Sequence, residues 1–270
     1  MAVNSEAIYA TRPWLVYGEG PWRARAGYFA EDSFTRQTAR DIRFTTKGSS
    51  LYAIVLDWPL DGKVTIRSLA KSSGENRIKS VSLLGTGGKL NWSQDEKGLK
   101  MTLPDKKPCE NAYVLKIEGK NLTAIAAENL TEQGDDGSVV LKAIDAQIIG
   151  ESPVYETGGG KDNIGYWGNA EDYVKWNFKI ERPGAFEVQV TYSCDNGREG
   201  SEYIIEVADQ TLTCQSKATG SWAAFRIDTA GKIEIKKAGR YILSVKPKVP
   251  PEWKVIGLQS IKLVPLKNSY

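Results

Sequence analysis

Histidine is absent from all 270 residues. Without an imidazole there is no His-based catalytic triad, no histidine proton shuttle and none of the common His-containing zinc sites. Cysteine is scarce. Cys109, Cys194 and Cys214 are too scattered to form a metal-binding pattern. Cys194 and Cys214 flank one expected hairpin, so they either pair in an exported protein or stay as two buried thiols; Cys109 is left over in both cases. An excess of one charge is also missing. The formal net charge is +3 and no run of Lys or Arg stands out, which speaks against nucleic acid as the main partner. No apolar run approaches the roughly 18 residues that a membrane-spanning helix needs, so no membrane partner is expected. The N-terminal MAVNSEAIYATRPW lacks a basic region followed by an apolar one, and no secretory signal is expected in this chain.

What is present is 41% apolar and 26% charged, in a chain long enough for two ordinary domains. Residues 43–46, 51–56, 64–68, 78–84, 90–94, 99–103 and 113–117 are short β-rich runs between turns such as Lys47-Gly48, Asp61-Gly62 and Lys97-Gly98. Leu51 to Leu56 is apolar on both faces, which predicts a central strand whose second face meets a neighbouring domain. Residues 132–138, EQGDDGS, carry no apolar side chain and mark a boundary. Beyond it, 139–149 reads as one strand, followed by strands over 172–180, 185–192, 202–207, 211–217, 222–227, 232–235, 240–245 and 258–264. The fold class is therefore all-β, two antiparallel β-sandwich (jelly-roll-like) domains in tandem. They occupy 38–133 and 139–266, behind a connector over 1–37 whose Trp14, Tyr17 and Trp22 need a surface. Such rings either fold back on the first sandwich or pair with a second copy as a homodimer.

The candidate chemistry centres on residues 161–180, KDNIGYWGNAEDYVKWNFKI. Val174, Trp176, Phe178 and Ile180 alternate with polar neighbours, as in a strand with one buried face. Ahead of them, Tyr166 and Trp167 sit among Gly, Asn and Asp. Either they close the core, or at least one stands in water at a sandwich end, where a flat ring beside amides and carboxylates suits a sugar. In residues 222–227, Phe225 and Ile227 are expected to point inward, which puts Trp222 outward with Arg226 as a platform. Trp253, in KVPPEWK, is either a lid or a sugar contact. Asn163, Asp162 and Glu252 are the candidate polar partners. The carboxylate pairs Asp95/Glu96, Asp135/Asp136 and Glu171/Asp172 are adjacent residues and read as surface charge. Glycoside hydrolysis instead needs two carboxyls about 5–9 Å apart across a cleft.

Two resemblances sharpen this reading. Asn4-Ser5-Glu6-Ala7-Ile8-Tyr9, then Thr11-Arg12-Pro13-Trp14 and Gly18-Glu19-Gly20-Pro21, resemble the segment that leaves the catalytic barrel of family 29 α-L-fucosidases. Ser5 and Ala10 stand where that family more often has Gly. DIRFTTKGSSLYAIVLDWP and the residues up to Ile117 resemble the accessory sandwich that follows the barrel. From 139 onward, Ile164-Gly165-Tyr166, Asp172-Tyr173-Val174, Pro183-Gly184-Ala185-Phe186, Thr219-Gly220-Ser221-Trp222 and Leu258 to Leu263 resemble carbohydrate-binding modules of the family 6/35 type.

The resemblance implies a glycan or oligosaccharide partner, with Tyr166 and Trp222 at positions that sandwich a sugar ring. It implies a secreted or periplasmic bacterial parent engaged in polysaccharide degradation, whose catalytic barrel is missing here. No catalytic residue carries over, and the chain itself is expected not to be an enzyme. Such modules often hold a structural calcium. The comparable positions read Asp145, Gln147 and Gln259, one carboxylate with two amides, so that site is expected to be weak or absent and no cofactor is expected.

Overall fold

The computed structural model describes residues 2–22, 36–72, 75–125, 129–248 and 252–266. They form two compact units, the first drawn from 2–22, 37–72 and 75–125 and the second chiefly from 129–248 and 252–266. In the first, β1 (Arg12–Glu19), β2 (Ile42–Lys47), β3 (Ser50–Val55), β4 (Lys63–Ile66), β5 (Arg77–Leu83), β6 (Trp92–Asp95), β7 (Gly98–Thr102) and β8 (Tyr113–Lys120) build two sheets. One has the order β1-β2-β3-β8-β5 and the other β4-β7-β6. Leu51, Ala53 and Val55 of β3 share one buried cluster with Val64, Ile66, Leu99 and Met101 of the smaller sheet.

β3 is central, as its double apolar face predicts, but its second face is covered from within the unit. Tyr52 and Val114 pack with Ala7 of the short 3-10 turn Ser5–Ala7, and the Tyr52 hydroxyl donates to Glu6 Oε1 at 2.7 Å. The stretch read as a connector thus supplies a turn and the edge strand β1, in antiparallel register with β2. Trp14 folds back onto Phe44, ring centroids 5.0 Å apart. The Arg43 guanidinium lies over both the Tyr17 ring, at 5.6 Å, and the Trp22 ring, at 5.7 Å, while Tyr17 stays 78% exposed. Glu19, at the end of β1, ties this strand to the residues that follow β4. Its carboxylate accepts from Arg67 N at 2.8 Å and from Ser68 N and Oγ at 2.7 and 2.6 Å.

The second unit contains β9 (Leu130–Glu132), β10 (Val139–Lys142), β11 (Gln147–Ile149), β12 (Val154–Gly158), β13 (Lys161–Gly165), β14 (Tyr173–Ile180), β15 (Gly184–Ser193), β16 (Glu202–Val207), β17 (Gln210–Gln215), β18 (Arg226–Ile235), β19 (Gly239–Pro247) and β20 (Gly257–Pro265). One sheet runs β12-β13-β20-β15-β18, with β10 also on β20; the other runs β11-β14-β19-β16-β17, with β9 on β14. Trp176, Phe178, Phe186, Val188, Val190, Tyr203, Ile205, Leu243 and Leu263 fill the space between them.

Two sequence expectations are corrected in this unit, and one hairpin appears that the sequence pattern did not indicate. Residues 139–149 are two strands: the 3-10 turn Ala143–Asp145 carries the chain from β10 in one sheet to β11 in the other. Residues 154–165, to which the sequence pattern assigned no strand, form the β12–β13 hairpin about Gly159 and Gly160, whose φ of 58° and 81° suit only an unhindered turn. Residues 222–227 and 232–235 are not two strands; from Arg226 onward they are one, β18, with an extra residue at Ala230.

That bulge shifts the side-chain alternation. Ile233 and Ile235 face the core, whereas Ile227 is 65% exposed and Arg226 and Asp228 take the inward positions. Next to the bulge, Gly231 lets Leu212 approach closely, since a Cβ there would meet Leu212 Cδ2 at 3.0 Å.

Replacing Glu19 by Ala removes the acceptor of three hydrogen bonds that join β1 to residues 67–68. A loss of about 2–3 kcal/mol of stability is expected, read as a lower urea midpoint at unchanged slope.

Candidate functional site

Strand direction gathers four loops at one end of the second unit: residues 166–172, 194–201, 216–225 and 252–256. The turns 181–183, 208–209 and 236–238 lie at the opposite end. Each loop at the first end is pinned. Thr219 N donates to Cys194 O at 2.8 Å, and Cys194 N donates to Thr219 Oγ1 at 2.9 Å. Ser201 Oγ accepts from Lys254 N at 2.6 Å and donates to Lys254 O at 3.0 Å.

The aromatic loop is organised by Asp172, which is buried rather than a surface charge. Its carboxylate accepts from Ser152 N at 2.8 Å, Ser152 Oγ at 2.6 Å and Asn169 Nδ2 at 2.9 Å. Its backbone carbonyl accepts from Trp167 Nε1 at 3.0 Å. Nothing at Gly150 can be larger, because a Cβ there would overlap the Asp172 carboxyl group. One residue therefore holds both the loop and the indole that plugs the sandwich end.

The five expected site residues separate accordingly. Trp167 is fully buried in the core cluster and is not a sugar platform; with its one polar group satisfied inside, its rings contribute burial. Trp253 is its cap. The rings meet edge to face at 5.3 Å, and Trp253 Nε1 donates to Trp167 O at 2.7 Å. Asn163 is 1% exposed on β13, with Nδ2 donating to Glu156 Oε2 at 2.9 Å, so it cannot reach a ligand at the loops. The strand pairing of β12 and β13 is what turns it away.

Tyr166 and Trp222 remain half-exposed. Tyr166 has φ of 53°, a left-handed conformation that a bulky residue rarely adopts and that costs about 1–2 kcal/mol. Trp222 rides on a tight turn closed by Ala224 N donating to Ser221 O at 3.2 Å, ahead of β18 rather than on it. Among the described residues it stacks on none of the other three rings.

Sequence reasoning missed a polar group beside this turn. Asp228 Oδ1 accepts from Arg226 Nε and Nη2 at 2.9 and 2.7 Å, and Asp228 Oδ2 accepts from the Tyr192 hydroxyl at 2.8 Å. That hydroxyl in turn accepts from Lys217 N at 3.0 Å. Burial pushes the Tyr192 phenol up to about 12. Burial also raises the Asp228 carboxyl, but the bonds from Arg226 and Tyr192 outweigh it and the net shift is downward. Only the bulge at Ala230 turns Arg226 and Asp228 toward Tyr192, and no sequence pattern announced it.

Asp145 lies in the 3-10 turn, Gln147 is exposed on β11 and Gln259 half-buried on β20. Among the described residues no three of His, Cys, Asp or Glu gather as a metal site. All three cysteines are unbonded. Burial raises the Cys194 thiol and pushes Cys214 up to about 11, which keeps both protonated and unreactive at neutral pH. Among the described residues no helix is long and apolar enough to cross a membrane.

Against this geometry, residues 35–118 match the family model described as the alpha-L-fucosidase C-terminal domain. The tissue alpha-L-fucosidase of Homo sapiens is 32% identical over 124 residues, 44% of this chain and 22% of that protein. The chain thus matches less than a quarter of the length of this relative. Among solved structures, an alpha-L-fucosidase from Vibrio sp. strain EJY3 is 17% identical, with a TM-score of 0.45, over 98% of this chain and 43% of that one. A family 35 carbohydrate binding module from Clostridium thermocellum is 15% identical, with a TM-score of 0.41, over 48% of this chain and 98% of that one.

Two stability measurements check the sorting of the aromatics. Trp167→Ala is expected to lose about 3–5 kcal/mol, because it empties a core site, whereas Trp222→Ala, at a partly exposed position, should lose clearly less, about 1–2 kcal/mol. The depressed Asp228 carboxyl adds stability that is complete above the ordinary Asp value of about 3.9 and is lost as pH falls through its lower folded value. Asp228→Asn should therefore flatten the fall of thermal midpoint below about pH 4.

Proposed function

We propose that this chain is a non-catalytic accessory region of an α-L-fucosidase, and that the loop end of its second unit holds a glycan through Tyr166 and Trp222. The observation that carries the first half is the match of residues 35–118 to a fucosidase C-terminal domain. The fucose-releasing chemistry belongs to a part of the parent protein other than these two units. The second half is supported by two half-exposed rings on separate pinned loops, one of them on a residue held in a strained backbone conformation. A ring of this kind meets the C–H face of a pyranose, while Arg226, Asp228 and Lys217 nearby in the chain supply charged partners for hydroxyls. Trp167, Trp253 and Asn163 support the site from below and take no part in contact.

A purely architectural role is the second reading. It draws on the same burial of Trp167 and Asn163 and the capping position of Trp253, which leave two rings instead of four at the rim. Single-site saccharide binding is expected at about mM to tens of μM, or roughly 4–7 kcal/mol.

The two readings part on a glycan array and a fluorescence titration with fucosylated glycans, xyloglucan, arabinoxylan and pectic oligosaccharides. Saturable binding that drops at least tenfold in Trp222→Ala supports the proposal. Unchanged tryptophan emission with every glycan leaves the architectural role. Stoichiometric release of fucose from an aryl fucoside by the purified chain would contradict the non-catalytic assignment.

A further inference from the structure

At the end of the second unit opposite the aromatic loops, the turn of the β16–β17 hairpin and the connection from β18 to β19 border a cleft of about 530 Å³. Its lining is Ala208, Asp209, Gln210, Glu234, Lys236 with Lys237, and the ring of Tyr241. The volume falls within the roughly 300–1,000 Å³ of small-ligand clefts.

The walls are fixed by side-chain bonds that mimic backbone pairing. Gln210 Nε2 donates to Glu234 O at 2.8 Å and Gln210 Oε1 accepts from Glu234 N at 3.0 Å, which staples the edge strands β17 and β18 of the two sheets together. Tyr241 is held twice: its hydroxyl donates to Lys237 O at 2.7 Å, and its ring lies against Phe178 at 5.8 Å. The lip is a two-residue turn with Ala208 at φ 49° and Asp209 at φ 60°. That turn favours Asn-Gly; a left-handed Ala is locally unfavourable and persists because the surrounding bonds impose it.

The charged groups of the lining are unused. Asp209, Glu234, Lys236 and Lys237 are exposed, and among the described residues their side chains enter no ion pair or hydrogen bond. Two carboxylates and two ammonium groups balance, so the cleft has no net charge to attract an ion. What such a set recognises is a neutral polyol: hydroxyls donate to the carboxylates, accept from the ammonium groups, and leave an apolar C–H face for the half-exposed phenol ring.

We infer that this cleft is a second saccharide site, for a neutral mono- or disaccharide unit stacked on Tyr241 with its hydroxyls shared between Asp209, Glu234, Lys236 and Lys237. It is separate from the loop end and does not rest on Tyr166 or Trp222. A chain with sites at both ends of one sandwich contacts a polysaccharide twice, which raises its retention on an insoluble glycan without raising either affinity.

The test uses backbone amide NMR on the full chain, since no tryptophan is among the described residues that line the cleft. The probes are 2′-fucosyllactose, xyloglucan oligosaccharides and arabinoxylan oligosaccharides, with trigalacturonate as the anionic control. Saturable shifts are expected at residues 208–210 and 234–241 with at least one neutral probe. They should weaken at least fivefold in the exposed-site double variant Asp209→Asn/Glu234→Gln, disappear in Tyr241→Ala, and persist in Trp222→Ala. Absence of shifts there with every neutral probe overturns the inference, as does a response to trigalacturonate alone. So does loss of the response in Trp222→Ala, which would assign the binding to the loop end. Should Tyr241→Ala fail to fold, the double variant decides.

Discussion

Along every paired strand the side chains alternate between two faces, and both units depend on which set meets the facing sheet. In β14 the set is Val174, Trp176, Phe178 and Ile180, paired residue for residue with Val245, Leu243, Tyr241 and Gly239 of β19. A single extra residue reverses the assignment. At Ala230 it turns Ile227 to solvent and brings Arg226 and Asp228 inward, where Tyr192 closes the gap with a hydrogen bond. The polar group beside the loops is thus a consequence of a bulge, not of composition.

The same constraint explains why one aspartate governs the loop end. Two adjacent aromatics leaving a strand cannot both enter a two-layer core. Trp167 enters because Asp172 offers its indole a carbonyl and holds the loop with a carboxylate bonded to Ser152 and Asn169. Tyr166 is then left at the rim with a backbone angle it would not choose by itself. Trp253 takes the remaining place above Trp167. Packing sorts the four rings: two fill and seal the sandwich, and two stay partly in water.

In the first unit, the edge strand β1 and the turn before it belong to the packing. Ala7 covers Tyr52, Glu19 reaches residues 67–68, and Trp14 lies on Phe44. The segment resembling a fucosidase connector is built into the domain that matches the fucosidase family. A sequence so rich in Pro, Gly and Trp shows no period because its contacts are long-range. Glu19 and Ser68 are 49 residues apart.

The sequence alone determined the fold class, most of the strands and the fucosidase likeness. These are local or patterned properties: apolar alternation in β14, β15 and β19, glycine turns between strands, and ordered motifs around Asn4 to Pro21. It also contained, unread, the Gly159-Gly160 hairpin that puts Asn163 on a strand. Only the tertiary structure decided which rings are buried, that residues 139–149 divide between two sheets, and that the turns at 208–209 and 236–238 frame a cleft with Tyr241. Those outcomes depend on register and on partners tens of residues away. Alternation specifies two faces but not which face a bulge, a buried carboxylate or a facing sheet will claim.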